Sequence, residues 1–326
     1  MKEFKWVSRI MRYSVAMSFE QIADRDEIVC FLIVNYIPFL PSLSIGSCLS
    51  VTDCSIVVAY INEEDIRDLP TSPRITRLNL KQIPRCSDIL LKVDSGAYKQ
   101  FGSPEFFNLV QLKWHLFAEL LNANFQRIIY SDIDTVWLQD AVTLTRLKST
   151  SSLLQIQDVT IDIRTPKLCM GFVSMINNQK IVEMIEDCAN ENDRRLLSGE
   201  LIGDDDIITD YFNHNGNPTW IQPLPQLAFP TGNMLTQYLA KSSFRPVKPP
   251  RPILFHANYI IGQKNKAIVL EKIYRRMKVQ MIDELSVYSR FTLRIEFLFY
   301  CLRFWYFRFG RVFRKVSNSL LQKRVN

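Results

Sequence analysis

The chain has 326 residues, of which 47% are hydrophobic and 22% charged, with only 10 Gly and 15 Pro. A chain of this length and composition can bury a substantial core, which excludes collagen-like, low-complexity, largely disordered and small disulfide-scaffold proteins. The formal net charge of +7 does not mark a nucleic-acid binder, because residues 290–326 hold nine Lys/Arg against one Glu and leave the rest of the chain near neutral.

The opening residues, MKEFKWVSRIMRYSV, mix charge with aromatics and hold no continuous apolar segment before the acid-rich stretch Glu20–Glu27. That predicts no cleavable signal peptide. The stretch from Ile28 to Thr52 carries no charge and is long enough to suggest a membrane span. Asn35, Pro38, Pro41, Gly46 and several serines interrupt it, so it reads as a buried strand over Ile28–Val34, a turn, and a short helix over Leu43–Val51. The β-branched run Cys54–Ile61 predicts a second strand closed by the polar turn Asn62–Asp65, and the alternation in Arg74–Leu80 a third. Apolar residues recur at helical spacing over Ser103–Asn122, and Arg127–Leu138 follows as a strand running into a polar end. Strands alternating with helices imply βαβ units and a mostly parallel sheet. Ligands of such sheets gather beyond the carboxyl ends of the strands, where Ser131–Asp134 falls.

The second half is less regular. Cys169–Asn177 reads as a strand, Gln179–Asn190 as a helix, and Gly203–Phe212 as an acidic start feeding a helix over Ile207–Phe212. Eight prolines between Pro218 and Pro252 predict loops and edge strands. The apolar run Ile253–Gly262 carries one His, and residues 263–285 read as a helix. No linker separates the halves, so residues 1–285 are expected to form one catalytic-type domain, with residues 286–326 as a tail. The seven cysteines show no CxxC spacing, and several lie in apolar runs. They read as reduced, buried thiols in a reducing compartment.

Chemistry concentrates at a few positions. Asp132 and Asp134, read as alternate residues at a strand end, would face one side and could grip a hard divalent cation of the Mg²⁺ or Mn²⁺ type. A solvated acidic turn is the other reading. His256 is one of three histidines, with His115 and His214. It reads either as a core histidine or, given Asn258, Gly262, Lys264 and Lys266 after it, as a ligand beside a pyrophosphate, which a small residue and cations suit. His115 reads as a packing residue and His214 as a loop residue. Asp204, Asp205 and Asp206 suit a helix N-terminus. Their mutual repulsion would raise at least one pKa if they were buried.

The order RIIYSDIDTVWLQD, CMGFVSMIN, GDDDIITDYF, FHANYIIGQKNK resembles the nucleotide-diphospho-sugar transferase family of GT-A glycosyltransferases over about Ile28 to Leu270. The most specific pieces are S-D-x-D-x-x-W-L and F-H-A-N-Y with the following Gly and Lys. The resemblance implies an α/β, Rossmann-like GT-A fold and a metal-dependent transferase using a nucleotide-sugar donor, UDP-linked by expectation, with retention of anomeric configuration. It further implies that Asp132 and Asp134 hold Mn²⁺ or Mg²⁺ against the donor diphosphate, with His256 as the third ligand. Lys113 would be the basic residue on the preceding helix, and Asp204 and Asp205 would be the catalytic pair, with Asp204 facing the transferred sugar. Asn35 and Tyr36 would lie at the nucleoside, with Tyr36 stacking on uracil or simply packing. Tyr98, Phe101 and Gly102 are weaker candidates for the donor pocket. Two positions depart from the family pattern: Asp205 stands where Gln is usual, and Cys169-Met170 where Asn-Thr is usual.

Two alternatives remain from the sequence. A sugar nucleotidyltransferase would need a Gly-rich phosphate loop after the first strand, where Asn35–Gly46 offers prolines. A catalytically silent scaffold of the same fold is the other. In the tail, Ile295, Leu298, Leu302, Trp305, Phe309, Val312 and Phe313 share one helical face opposite Arg303, Arg308, Arg311, Arg314 and Lys315. This pattern reads as a basic amphipathic helix that either lies on an anionic membrane surface or packs on the domain; the first reading predicts an enzyme on the cytoplasmic face of a membrane acting on a glycan or lipid-linked acceptor. No nucleic-acid partner is expected.

Overall fold

A computed structural model describes residues 26–34, 39–91, 102–123, 125–148, 152–160, 166–232, 252–258, 260 and 262–280. The chain divides into a unit of residues 1–275 and a second of residues 276–326. Of the second, only residues 276–280 are described. The expected boundary at 285/286, the amphipathic tail, and Asn35, Tyr36, Tyr98 and Phe101 all lie outside the described residues.

The first unit is built on a seven-stranded sheet in the order β3-β2-β1-β4-β7-β6-β8. Its strands are β1 (Glu27–Ile33), β2 (Ser55–Tyr60), β3 (Ile75–Asn79), β4 (Arg127–Ser131), β6 (Leu154–Asp158), β7 (Leu168–Ile176) and β8 (Ile221–Leu224). All are parallel to one another except β7, which runs against β4 and β6. A separate antiparallel pair joins β5 (Thr135–Trp137) to β9 (Leu254–His256). β1 alternates between two cores. Ile28, Cys30 and Leu32 pack with Leu112, Phe117 and Ile185 on one face. Val29, Phe31 and Ile33 pack with Trp137, Phe172 and Phe229 on the other. Burial on both faces is why the strand reads as an unbroken apolar run.

From β1 the chain steps outward to β2 and β3 in one direction, then crosses back to place β4 on the other side of β1. The carboxyl ends of β1 and β4 therefore flank the point where the strand order reverses, the place where such sheets leave a crevice.

Several elements differ from the sequence reading. The first helix runs Phe39–Leu49 rather than starting at Leu43, because Pro41 falls in its first turn, where no intrahelical N–H is needed. The helix expected over Ser103–Asn122 is two, Pro104–Val110 and Leu112–Asn122. The second restarts with the Trp114 N–H on the Gln111 carbonyl, a tightened i−3 bond. The helix expected to end at Asn190 continues to Leu197, helped by pairs from Glu191 to Arg194 and Arg195. It stops at Gly199, whose φ of 85° only glycine adopts freely. β8 carries Pro223 and lies at the sheet edge, where a missing donor is tolerated.

The single strand expected over Arg127–Leu138 is likewise two. β4 ends at Ser131, and Asp132-Ile133-Asp134 turns the chain into β5. Thr135 Oγ1 holds the turn by bonding the Asp132 carbonyl at 2.8 Å and the hydroxyls of Ser131 and Ser44 at 2.8 and 3.0 Å. This side-chain alternative to the ladder stops the strand, so period-two alternation does not place the two carboxylates.

The described cysteines, Cys30, Cys48, Cys54, Cys86, Cys169 and Cys188, are unpaired thiols. Among the described residues no helix is long and apolar enough to cross a membrane.

Candidate functional site

The turn after β4 and the end of β9 meet at one point. Thr135 pairs with His256 across the two-stranded sheet, and the Ala257 N–H bonds the Asp134 carbonyl at 2.8 Å. That register brings His256 Nε2 to 3.2 Å from Asp134 Oδ1 and 3.6 Å from Asp132 Oδ2. Among the described residues, Asp132, Asp134 and His256 form a cluster whose donor atoms all lie within 4.8 Å of one another. Two carboxylate oxygens and one imidazole nitrogen this close fit a divalent cation of the Mn²⁺ type. Asp134 and His256 are buried, and Asp132 is half-buried, leaving one open side. Burial alone would raise the Asp134 carboxyl, but the Lys266 ammonium and His256 override it and hold it well below the usual range.

The imidazole lies against a strand with no side chain in its way. A Cβ built on Gly171 would fall 1.9 Å from His256 Cε1 and 2.4 Å from Nδ1. One on Gly232 would fall 2.2 Å from the Asn258 carbonyl oxygen. Both glycines are there for space. The ring's Nδ1 is 2.8 Å from Gln157 Oε1 and 3.9 Å from Cys169 Sγ. Asn258 donates to that sulfur at 3.4 Å, and burial pushes the Cys169 thiol well above its ordinary range.

A second group of charges adjoins the first. Lys113 lies on the helix before β4, yet it is buried rather than on the helix surface. Its Nζ is 2.5 Å from Asp204 Oδ2, 3.1 Å from Asp132 Oδ1 and 4.9 Å from the centre of the Tyr130 ring. Burial works against its charge, but Asp132 and Asp204 outweigh it and raise the ammonium well above its usual range. Tyr130 donates to Asp132 Oδ1 at 2.7 Å. The helix Asp204–His214 is tied to the start of β7 by three contacts. Leu168 N donates to Thr209 Oγ1 at 3.0 Å, Lys167 Nζ lies 3.1 Å from Asp206, and Met170 N donates to Asp205 Oδ1 at 2.7 Å. Docking at its first turn aims Asp204 at Lys113 and keeps Asp205 against the backbone of β7.

Burial and the adjacent Asp204 carboxylate push Asp205 up to about 7, with Asp132 adding and the Met170 N–H and Lys113 opposing. A carboxyl raised in the folded state stabilises the fold below its unfolded pKa and loses that contribution as pH rises toward the folded value. Stability should therefore fall between about pH 4 and about pH 7 on account of Asp205. Asp205→Asn keeps an oxygen for Met170 and removes the titration. Its melting temperature relative to the parent is expected to rise from pH 5 to pH 8, and a pH-independent difference would show that Asp205 is not the titrating group.

Lys266 Nζ lies 2.5 Å from Asp134 Oδ2. It projects from the first turns of the helix Gln263–Gln280, which follows Gly262 at φ 87°. His115 and His214 do not join the site. The first pairs with Asp193 at 3.6 Å on the α-helical layer, and the second is exposed against the Asp210 carbonyl at 2.6 Å. Gln157 was not singled out from sequence. It lies in β6, and the two glutamines of LLQIQD carry no motif.

A family model described as nucleotide-diphospho-sugar transferase matches residues 74–270, more than half of the chain. The UDP-D-xylose:L-fucose alpha-1,3-D-xylosyltransferase MGP4 of Arabidopsis thaliana is 24% identical over 290 residues, covering 83% of this chain and 75% of its own. The galactosyltransferase LgtC, solved in complex with donor and acceptor sugar analogs, matches with a TM-score of 0.50 at 11% identity, over 77% of this chain and 94% of that one. Mouse xyloside xylosyltransferase 1 in its apo form matches with a TM-score of 0.46 at 10% identity, over 72% and 98%. The likeness to LgtC shows a fold of the GT-A type.

Proposed function

Since the chain belongs to the nucleotide-diphospho-sugar transferase family, we propose that it catalyses divalent-metal-dependent transfer of a pentose or hexose from a UDP-sugar to a glycan or lipid-linked acceptor. Its assignment as a glycosyltransferase using a nucleotide-sugar donor rests on the family match and the xylosyltransferase relative. The observation that carries metal dependence is the convergence of Asp132, Asp134 and His256, with Lys113 and Asp204 immediately beside them.

Asp132, Asp134 and His256 would hold the cation, Mn²⁺ or Mg²⁺. Bound there, it supplies Lewis-acid neutralisation of the leaving diphosphate. Lys266, carried at a helix start behind Gly262, adds a cation on the same side, and both the ammonium and the helix N-terminus favour phosphate oxygens. Lys113 ties Asp204 to Asp132, so the group facing the sugar and a group facing the diphosphate keep a fixed separation. Asp204 accepts hydrogen bonds from sugar hydroxyls and its charge steadies the positive charge that develops at the anomeric carbon. Asp205 does not face the donor through Oδ1, which the Met170 N–H occupies. We assign it to holding the helix start. Transfer with retention follows if the acceptor attacks from the face the nucleotide leaves.

The donor in the plant relative's name, UDP-D-xylose, supports a uridine nucleotide and puts xylose first among the sugars to test. Purified protein should release UDP from UDP-xylose, UDP-galactose or UDP-glucose in Mn²⁺, with no GDP released from GDP-mannose, and EDTA should stop the release. Release from no donor, or release indifferent to EDTA, would contradict the proposal.

A further inference from the structure

We propose that Gln157 is a positioning residue for the metal site, setting which nitrogen of His256 is offered to the cation. The inference deepens the metal-dependent reading above and rests on it.

The sheet is irregular beside the site. Between Ile156 and Gln157 the pairing with β7 slips: Ile156 lies opposite Val173, but Gln157 lies opposite Cys169. Met170, Gly171 and Phe172 are thus looped out of the β6 ladder, while Phe172 stays paired with Ser131 and the Gly171 carbonyl accepts the Asp132 N–H on the β4 side. A bulge re-aims side chains and opens a strand pair locally. Here the opening is where the His256 ring lies over Gly171 with Gln157 at its far nitrogen.

Gln157 is fully buried, and both ends of its amide are committed. Nε2 donates to the Phe229 carbonyl at 2.9 Å, and Oε1 faces His256 Nδ1 at 2.8 Å. The Phe229 carbonyl can only accept, so the amide nitrogen must point to it and the amide oxygen to the ring. An oxygen at Nδ1 requires that nitrogen to carry a proton. The lone pair of the neutral ring then lies on Nε2, the atom that faces Asp132 and Asp134. The carbonyl anchoring this chain is itself fixed, because the neighbouring Ala228 and Pro230 carbonyls accept the Ile253 and His256 N–H groups. One segment thereby orients both the histidine backbone and, through Gln157, its ring. Cys169 is too far and too weak an acceptor at 3.9 Å to replace the amide oxygen.

Removal of an outer partner of a ligating histidine lowers metal affinity by about 10- to 100-fold. Gln157→Met keeps the length and bulk without a strong acceptor, whereas Gln157→Glu keeps an oxygen for Nδ1. Mn²⁺ affinity is measured by the free-ion EPR signal for the parent and both variants, with thermal melts as the check on folding. The Co²⁺-loaded proteins are examined by NMR for the solvent-exchangeable, paramagnetically shifted Nδ1–H proton of His256. The expected result is a loss of about 10- to 100-fold for Gln157→Met with fast exchange of that proton, and near-parental affinity with a protected proton for Gln157→Glu. Parental affinity and a protected proton in Gln157→Met would overturn the inference and leave the metal site standing. No Mn²⁺ uptake by the folded parent would remove the metal site itself, and the inference with it.

Discussion

Replacement of Gly171 by alanine is expected to remove metal binding as completely as replacement of His256. The added methyl would fall 1.9 Å from His256 Cε1 and 2.7 Å from Nε2, distances at which one group must move. Neither backbone is free to do so. Gly171 is held by its carbonyl on Asp132 N, beside the Ser131–Phe172 pairing. His256 is held by Thr135 across the strand pair and by its own N–H on the Pro230 carbonyl. The imidazole must therefore swing away, leaving Gln157 and lifting Nε2 from the carboxylates. Overpacking of this kind costs about 1–3 kcal/mol of stability. Mn²⁺ affinity should fall by at least about 100-fold, the upper end of the loss seen when only an outer partner is removed. A double-mutant cycle gives the decisive comparison. In a His256→Ala background the methyl has room, and the stability cost of Gly171→Ala should vanish. A cost that persists there would mean that the alanine strains the strand and not the ring.

The same residues show how far the sequence could be read. Strands β1 and β2 are visible because burial on both faces leaves continuous apolar runs, and β3 because its apolar and polar residues alternate; both signals are local. Lys113 is different. Its helical spacing says only that it lies on a helix, and its burial depends on Asp204, 91 residues away in the chain. The pairing of Asp132 with Asp134 was legible as chemistry but not as geometry. Alternation along a strand would put both on one side, whereas the two stand together because Thr135 ends the strand and folds a turn.

Gly171 and Gln157 mark the limit. A glycine in CMGFVSMI reads as a weak point in a strand, and nothing nearby announces that a histidine far downstream in the chain lies on it. Gln157 was invisible for a related reason. Its strand LQIQD has polar residues facing inward, because Gln157 and Gln155 are buried against side-chain and carbonyl partners rather than solvent. Leu154 and Ile156 alternate with Gln155 and Gln157, but such a short alternation marks a half-solvated strand, whereas both glutamines are buried.

In the proposed metal-dependent diphosphate site, formed by the turn after β4 and the end of β9, Asp134 is the residue on which binding depends most. It is buried, its two oxygens face His256 Nε2 at 3.2 Å and Lys266 Nζ at 2.5 Å, and its backbone carbonyl receives the Ala257 N–H. Asp134→Ala keeps that backbone bond while deleting the carboxylate that joins the cation to the lysine. It leaves His256 and Lys266 without their shared anion, so the loss should reach both metal and diphosphate recognition. The most direct measurement is calorimetric titration of UDP into parent and Asp134→Ala protein, each in Mn²⁺ and in EDTA. The parent should bind UDP at least about tenfold more tightly in Mn²⁺, a difference of about 1.4 kcal/mol or more, and Asp134→Ala should show weak binding that Mn²⁺ does not improve. Equal UDP affinity of the parent in Mn²⁺ and EDTA, or a full Mn²⁺ response in Asp134→Ala, would contradict the account.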